Sequence, residues 1–223
     1  MPKTIGLHWL FAFTPLLFAL GARLFDAQAL RTNIKWLAAL SAVHLAGLAV
    51  FAVAPTETWA RAKIYPGLVM TVHTGEVLAA ALAPYDGAAG FTLASDSYSN
   101  AVTYGFAARR YFAVFGEASS HARHDDILTD YRMLDGKDIL VLRKSEPPPA
   151  DYTPYFERVE QRSFTIRGVR FWTVAGYGFR YPAYRDRVLA TIRDKYYRIP
   201  AFLPQAGCYF CDRYFGMPAC PTR

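Results

Sequence analysis

The chain has 223 residues, a net charge of +7 and a hydrophobic fraction of 53%. The charge is +3 in residues 1–55 and +4 in the rest, where 21 basic residues are interspersed with 17 acidic ones. Nucleic-acid-binding proteins concentrate Lys and Arg on one face, so this scattered pattern excludes nucleic acid as a partner. The mean hydropathy of +0.08 is typical of an apolar segment joined to an ordinary soluble domain.

Two segments near the N-terminus carry no charged residue. Residues 4–22 and 36–56 lack Asp, Glu, Lys and Arg, and each is long enough for the ~20 apolar residues of a spanning helix. We therefore predict two transmembrane helices, at about 5–22 and 36–55, with the lipid bilayer as a partner. The alternative for the first segment is a cleaved signal peptide, but the run is long and ends at Arg23 without a good cleavage site.

The short connector between these two predicted spans is basic. Arg23, Arg31 and Lys35 outnumber Asp26, and basic residues beside spans stay on the cytoplasmic side. This pattern predicts a cytoplasmic connector in a multi-pass protein of the inner (cytoplasmic) membrane. Residues 56–223 would then form an extracytoplasmic, periplasmic domain.

After Pro55, short β-rich runs alternate with helical runs, which is the signature of a mixed α/β domain. The predicted elements are a helix from Thr74 to Pro84, a strand at 91–94, a helix at 98–109, a strand at 111–115, a helix across 127–134 and a strand at 138–142. Strands that are separated by helices favour parallel pairing. We therefore expect a three-layer-like domain with mainly parallel strands.

A different pattern follows the three prolines at 147–149, which predict an extended connector because proline donates no backbone hydrogen bond. Residues 157–176 alternate around an Arg-Gly pair and predict an antiparallel hairpin that is added to the sheet. Helical spacing predicts a last helix near 182–197. A Cys- and aromatic-rich tail occupies about 198–223.

The segment SDSYSNAVTYGF places polar side chains where a predicted strand ends and a helix begins. Ligands often bind at the carboxyl ends of strands, so Asp96, Ser97, Tyr98 and Asn100 are candidate ligand-binding residues. Helix N-terminal amides attract anions, although Asp96 would repel a phosphate. The alternative is that Ser97 or Asp96 only caps the helix.

The segment HARHDD holds the densest cluster of ionisable residues. Its candidate ligand-binding residues are His121, Arg123, His124 and Asp125, because histidine with carboxylate could bind a metal or move a proton. The spacing is not diagnostic of a metal site, and Arg123 disfavours a cation. A helix that opens with two aspartates is also favourable without any ligand. We therefore predict no metal site here.

Cys208, Cys211 and Cys220 form an odd set with one C-x2-C element in the aromatic tail. On an oxidising side of the membrane two of them are expected to pair as a disulfide, and the sequence leaves the pairing open. A thioredoxin-like motif would open a helix after a strand, and a structural zinc site would need a fourth ligand. We therefore treat all three as disulfide candidates and predict no cofactor held by this chain alone.

The order of these features resembles a known family. HWLFAFTPLLFALGARLF, a second span, SDSYSNAVTYGF, HARHDDILTDYRMLDGKDILVL and a terminal hairpin together look like the C-terminal portion of a polytopic bacterial glycosyltransferase of the GT-C type. That type is related to dolichyl-phosphate-mannose protein mannosyltransferases. The resemblance implies transfer of a sugar from a polyprenyl-phosphate donor to an envelope acceptor, with the remaining multi-span part of such an enzyme as a partner.

The catalytic acid of that family lies in an early extracytoplasmic loop after the first of many spans, whereas only Met1–Thr4 precede the first predicted span here. No residue matches that carboxylate, so we predict no catalytic residue and do not expect this chain alone to transfer sugar. The alternative function is a non-enzymatic, membrane-anchored binding or assembly module for a cell-envelope glycan or a protein partner.

Overall fold

A computed structural model of the protein describes residues 13–117, 125–202, 204 and 207–222. The chain divides at Pro55 into two compact units, residues 1–55 and residues 56–223. The strands of the sheet all lie in the second unit.

The first unit contains two described helices, α1 (Thr14–Leu24) and α2 (Ala27–Val53). α2 has a mean hydropathy of 2.0 over its most apolar stretch. Its 27 residues extend about 40 Å, which exceeds the ~30 Å hydrocarbon core of a bilayer. Within the described residues, α2 is the one helix that is long and apolar enough to cross a membrane by itself, where the sequence predicted two. The other predicted span, 5–22, lies partly outside the described residues, and α1 is only 11 residues long.

The second predicted span is part of a longer helix, because α2 begins well before residue 36. Asp26 caps its first turn, since the Asp26 side chain accepts a hydrogen bond from the backbone N–H of Ala29 at 2.7 Å. Arg31 and Lys35 therefore lie on α2 and not in the connector between the helices.

The second unit contains a five-stranded mixed sheet, so the prediction of a mixed α/β domain is confirmed. The strands are β1 (Phe91–Ser95), β2 (Ala113–Val114), β3 (Asp138–Arg143), β4 (Phe156–Ile166) and β5 (Val169–Phe179). Their order across the sheet is β2-β1-β3-β5-β4. β1 is parallel to β2 and β3, whereas β5 is antiparallel to β3 and β4. The predicted parallel strands and the added hairpin are both present.

The hairpin turns at Arg167 and Gly168, as the sequence predicted. Both residues have positive φ angles, 49° and 77° respectively. Two successive positive φ angles define the type I′ turn, whose twist matches that of the flanking strands. Gly168 adopts this conformation freely, so the turn fixes the register in which Ile166 pairs with Val169.

Among the described residues of the second unit, seven α-helices accompany the sheet. They are α3 (Tyr65–Val72), α4 (Thr74–Leu82), α5 (Tyr98–Ala108), α6 (Asp125–Leu128), α7 (Tyr181–Tyr184), α8 (Ala190–Tyr196) and α9 (Tyr209–Phe215). α3 and α4 are both apolar and meet at 81°, and each buries side chains in the core of this unit. A π-helical turn at Arg185–Leu189 joins α7 to α8, so the predicted last helix is present with one widened turn.

Alternate residues of the central strands enter two separate hydrophobic clusters. On β3, Leu140 and Leu142 join α3, α4 and α5 in one cluster. Ile139 and Val141 join α7, α8 and α9 in the other. Successive side chains of a strand point to opposite faces, so the sheet is covered on both faces. This double coverage explains why four successive residues of β3, Ile139 to Leu142, are all apolar.

The predicted helix across 127–134 is interrupted, which corrects the sequence analysis. α6 ends at Leu128, and a separate 3-10 turn occupies Tyr131–Leu134. The Thr129 carbonyl, which a continuous helix would use internally, accepts a hydrogen bond from the hydroxyl of Tyr214 at 2.9 Å. The side chain of Asp130 also accepts a hydrogen bond from the backbone N–H of Arg132 at 3.1 Å and caps the turn that follows. The break therefore coincides with both a tertiary contact and a local cap.

Two smaller differences concern the ends of elements. The strand predicted at 111–115 is shorter, because only Ala113 and Val114 are paired in register with β1, and the backbone N–H of Phe115 donates to the carbonyl of Ser95 at 2.8 Å. Thr74 does not cap α4 as predicted. Its hydroxyl instead donates to the carbonyl of Met70 at 2.5 Å, in the preceding turn.

Candidate functional site

The parallel part of the sheet reverses its direction of winding at β1. The chain leaves β1 through α5 to reach β2 on one side, and later places β3 on the other side. In open α/β sheets, ligands bind in the crevice outside the carboxyl ends of the strands at such a switch point. The candidate site of this protein therefore lies beyond Ser95 of β1 and Arg143 of β3.

A cleft of about 440 Å³ occupies this position. This volume is within the ~300–1,000 Å³ of small-molecule sites. Its polar lining combines carboxylates, cations and phenols: Asp96, Glu117, Asp151, Arg143, Lys195, Tyr152 and Tyr155. Residues at the carboxyl ends of β1, β2 and β3 thus meet residues that follow the proline connector. Val188, in the π-helical turn, adds an apolar wall.

Arg143 is the central cation of the cleft, and its side chain is only 13% exposed. Its Nε lies 3.2 Å from Asp96 Oδ2, and its Nη1 lies 3.6 Å from Asp151 Oδ2. Nη1 also donates a hydrogen bond to the Tyr152 hydroxyl at 3.0 Å. Burial acts to lower the pKa of Arg143, but Tyr152 and the two carboxylates outweigh it and raise this pKa above its ordinary value. Arg143 is therefore a permanent, well-positioned charge.

Asp96 is held in place from two sides. The amide nitrogen of Asn100 donates to Asp96 Oδ1 at 3.1 Å, and Arg143 contacts the other carboxylate oxygen. Ser97 caps α5, because its hydroxyl accepts from the backbone N–H of Asn100 at 3.4 Å. The capping role that was an alternative for Ser97 is thus observed. It also fixes the helix turn that carries Asn100 towards Asp96.

Aromatic side chains form one side of the cleft. Tyr152 stacks on Phe115, with ring centroids 5.6 Å apart, and Tyr155 packs edge-on against the same ring at 6.4 Å. Burial raises the pKa of Tyr152 to about 12, while Arg143 acts in the opposite direction. Burial likewise raises the pKa of Tyr155. Both phenols are therefore neutral at physiological pH and can donate or accept hydrogen bonds.

The rim of the cleft is more exposed and carries the remaining charges. Lys195 lies 3.8 Å from Glu117, and the Asp151 side chain is 55% exposed. The polar lining therefore contains three carboxylates and two cations. Since Arg143 already contacts two of the carboxylates, the described lining residues offer neither an uncompensated positive field for an anion nor a free pair of carboxylates for a metal ion.

The structure separates the candidate residues that the sequence selected. Asp96 lines the cleft, whereas Ser97 and Asn100 support it from α5. Tyr98 is on α5 but does not line the cleft, and Asp125 is buried near the hydroxyl of Tyr111 at 3.4 Å, also outside it. The other three candidates lie outside the described residues: His121, Arg123 and His124.

Sequence reasoning did not select Arg143, Asp151, Tyr152, Tyr155 or Lys195. For Arg143 a usable signal existed, because it is the basic residue at the carboxyl end of the second strand that is parallel to β1. The tyrosines follow the three prolines, and their approach to Asp96 depends on the path of that connector. Lys195 reaches the rim only through the packing of α8, which no local pattern reveals.

Searches against protein-family models, curated proteins and solved structures find no match to this chain.

Proposed function

We propose that the protein is a membrane-anchored module whose α/β domain binds a cell-envelope carbohydrate in the cleft at the β1/β3 switch point. The observation that carries this proposal is the composition of the cleft: three carboxylates, one largely buried arginine and neutral phenols around about 440 Å³. Sugar hydroxyls both donate and accept hydrogen bonds, so such a mixed lining suits them. Hydrogen bonds to charged groups contribute about 1.5–3 kcal/mol each.

The charge balance favours a neutral sugar over a phosphate or pyrophosphate group. An anion in the cleft would meet Asp96 and Asp151 within reach of the same arginine that it needs. It would have to displace one carboxylate, at a cost in the low-dielectric site that a neutral hydroxyl avoids. In the proposal, Arg143 donates to sugar oxygens and Asp96 accepts from hydroxyls. The Tyr152 and Tyr155 rings are buried and form the wall behind these groups.

In this proposal the protein has the two transmembrane spans and the periplasmic domain that the sequence predicted. α2 supplies one span, and residues 5–22, which end within α1, are proposed as the other. Arg23 and Arg31 then lie near the cytoplasmic surface, which supports the outward orientation of the domain. The disulfide between Cys208 and Cys211 supports the same orientation, because disulfides persist in oxidising compartments.

Within this framework we propose that the chain belongs to the GT-C glycosyltransferase lineage, as its C-terminal portion, and that the domain positions the acceptor glycan. The polyprenyl-phosphate sugar donor and the catalytic carboxylate would come from a multi-span partner. The motif order that ends in the hairpin supports this lineage. The second candidate is a non-enzymatic anchored module. It is favoured by the observation that the described cleft is built entirely from residues of the second unit.

Binding is tested with the full chain in detergent micelles, by saturation-transfer NMR. The probes are neutral hexose and N-acetylhexosamine oligosaccharides, a uronic-acid oligosaccharide and inorganic pyrophosphate. We expect the neutral oligosaccharides to bind and pyrophosphate not to bind. Arg143→Gln should weaken binding by about tenfold or more, which corresponds to ~1.4 kcal/mol. Binding of pyrophosphate alone would contradict the proposal.

A matched control separates binding from folding. Arg162, on β4, is 55% exposed and does not line the cleft, so Arg162→Gln should leave affinity unchanged. Lys195→Gln changes only the rim and should lower affinity severalfold while the circular dichroism spectrum stays that of the wild type. If both cleft variants fold and bind as tightly as Arg162→Gln, the cleft is not the site.

The two candidate functions are separated by immunoprecipitation from membranes with an antibody against residues 150–223. A glycosyltransferase role predicts that this chain is part of a larger polypeptide, or that a multi-span protein copurifies in fixed ratio and the complex transfers sugar from a polyprenyl-phosphate donor. The non-enzymatic candidate predicts a 25.0 kDa species that binds carbohydrate without any such partner.

A further inference from the structure

The C-terminal tail folds back on itself beside α9. The backbone N–H of Cys208 donates to the carbonyl of Pro218 at 2.9 Å, and that of Met217 donates to the carbonyl of Cys211 at 3.2 Å. Further along, Ile199 donates to the carbonyl of Pro221 at 3.0 Å. These hydrogen bonds bring residues that are distant in the tail close to the start of α9.

The same fold brings all three cysteines together. Cys208 and Cys211 form a disulfide, and the sulfur atoms of Cys208, Cys211 and Cys220 all lie within 4.8 Å of one another. Cys208 and Cys211 are buried, whereas Cys220 is partly exposed and carries a free thiol. A thiol that is held this close to a disulfide is in position for sulfur–sulfur exchange.

We propose that the tail is an internal thiol–disulfide exchange site, in which Cys220 takes over one sulfur of the Cys208–Cys211 pair. The Cys220 thiolate attacks Sγ of one partner, a new sulfur–sulfur bond forms, and the Cys208–Cys211 bond breaks. The displaced sulfur leaves as a thiolate and takes up a proton. One disulfide and one thiol are present before and after, so the step needs no external oxidant or reductant.

The exchange changes what is covalently joined. In the described state the bond links two residues only three positions apart, and hydrogen bonds alone attach the end of the tail to α9. After exchange, a covalent bond attaches the segment around Cys220 to the start of α9. Since Phe210 and Tyr214 of α9 are buried in the core, the tail would then be fixed to that core. This inference does not depend on carbohydrate binding.

Partial burial raises the pKa of the Cys220 thiol, so the thiolate is scarce at neutral pH. Exchange should therefore be slower than for an exposed thiol and can be stopped by acid, which protonates the attacking group. This behaviour allows each disulfide isomer to be trapped and measured.

Trypsin provides the readout, because cleavage after Arg198 and Arg213 places Cys208 and Cys211 in one peptide and Cys220 in another. The full chain in micelles is incubated at about pH 9, near the ordinary pKa of a thiol, then acid-quenched and alkylated. Mass spectrometry of the unreduced digest distinguishes an internal disulfide from a bond between peptides 199–213 and 214–223. We expect the linked pair as a minor isomer, in up to about one molecule in ten.

Two variants make the outcome decisive. Cys220→Ser should give only the internal disulfide, and Cys208→Ser, in a glutathione redox buffer, should link Cys211 to Cys220. Linked peptides that derive only from dimers on a non-reducing gel would overturn the proposal. It would also be overturned if wild type never forms the linked pair, or if the isolated protein holds three free thiols around a zinc ion.

Discussion

Two arginines in the domain each contact two carboxylates, but in opposite surroundings. Arg143 lies in the cleft between Asp96 and Asp151, and its side chain is 13% exposed. Arg167 lies at the tip of the hairpin, where its side chain is 36% exposed. It binds Glu76 through two nitrogens at 2.9 and 3.1 Å and also pairs with Glu57. Both arginines make the same kind of ion pair, but Arg167 is more exposed to water than Arg143.

The difference in water access assigns different roles to the two networks. At the hairpin tip, water competes for every charged group, so the ion pairs between the hairpin and α4 contribute little to the stability of the fold. In the cleft, Arg143 has given up most of its hydration, so its partners are costly to remove unless another polar group replaces them. A bound ligand can supply such a group, which is why we place binding at Arg143 and not at Arg167.

The largest expected effect on stability is that of removing Arg143, which is largely buried. Arg143→Met should destabilise the full chain by about 2 kcal/mol, because it leaves Asp96 without its cation. This is below the ~3–5 kcal/mol of a fully buried pair, since Asp96 and Asp151 keep some contact with water. Thermal unfolding in micelles, followed by near-ultraviolet circular dichroism, gives the value. Arg167→Met should lower the free energy of unfolding clearly less. Equal losses would show that the lower exposure of Arg143 does not strengthen its ion pairs.

A matched pair of tyrosines gives an intermediate effect. The Tyr152 hydroxyl accepts a bond from the Arg143 guanidinium at 3.0 Å, whereas the Tyr65 hydroxyl donates to the backbone carbonyl of Arg167 at 2.8 Å. Tyr152→Phe should cost about 1.5 kcal/mol and Tyr65→Phe about 1 kcal/mol, because hydrogen bonds to charged groups are the stronger class. The same unfolding experiment measures both. A larger loss of stability for Tyr65→Phe would show that the hydrogen bond between Tyr152 and Arg143 is the weaker of the two.

The smallest effect is the response of the hairpin tip to acid. The hydrogen bond from Arg167 lowers the pKa of Glu76, and a backbone hydrogen bond together with Arg167 lowers that of Glu57, both from an ordinary value of 4.5. Because these pKa values are lower in the folded state, their contribution to stability is present at neutral pH. It is lost as the pH falls below about 4.5 and through the lowered values.

We expect this loss to change the melting temperature by no more than about 2 °C, since the groups are exposed. It should be smaller still in 1 M salt, where the screening length is only ~3 Å. Arg167→Gln is the control, because without the guanidinium the acid-dependent difference should disappear. A pH response that is unchanged in Arg167→Gln would place its origin elsewhere in the domain.

Regular elements could be predicted from the sequence because their causes are local. The run DILVL, apolar after its first residue, indicates a strand, and the Arg167-Gly168 pair indicates a turn. Both elements are found where they were predicted. The helix predicted across 127–134 was wrong because α6 ends at Leu128 and Asp130 caps a separate turn. The Asp130 cap is local, whereas the hydrogen bond between Thr129 and Tyr214 joins residues 85 positions apart and has no local signal.

The cleft illustrates the same limit. Asp96 could be selected because a strand and a helix meet beside it in the sequence. Its partner Arg143 is close only because β1 and β3 pair in parallel, with Ser95 opposite Leu142. Tyr152 requires in addition that the proline connector turns back over the sheet. Asp96 could therefore be predicted from one segment of the sequence, whereas Arg143 and Tyr152 could be placed at the site only once the topology of the sheet was known.

The two edges of the sheet differ in how open they are to pairing with another molecule. β2 is an edge of two residues, too short to template another strand, whereas β4 exposes an edge of eleven. Along β4, Arg158, Glu160 and Arg162 place charges of both signs on this edge. Charged side chains on an edge strand hinder pairing with a strand of a second molecule, so they protect the edge against sheet-to-sheet aggregation. Under the proposed membrane anchoring, which would hold neighbouring copies close together, this protection would matter most.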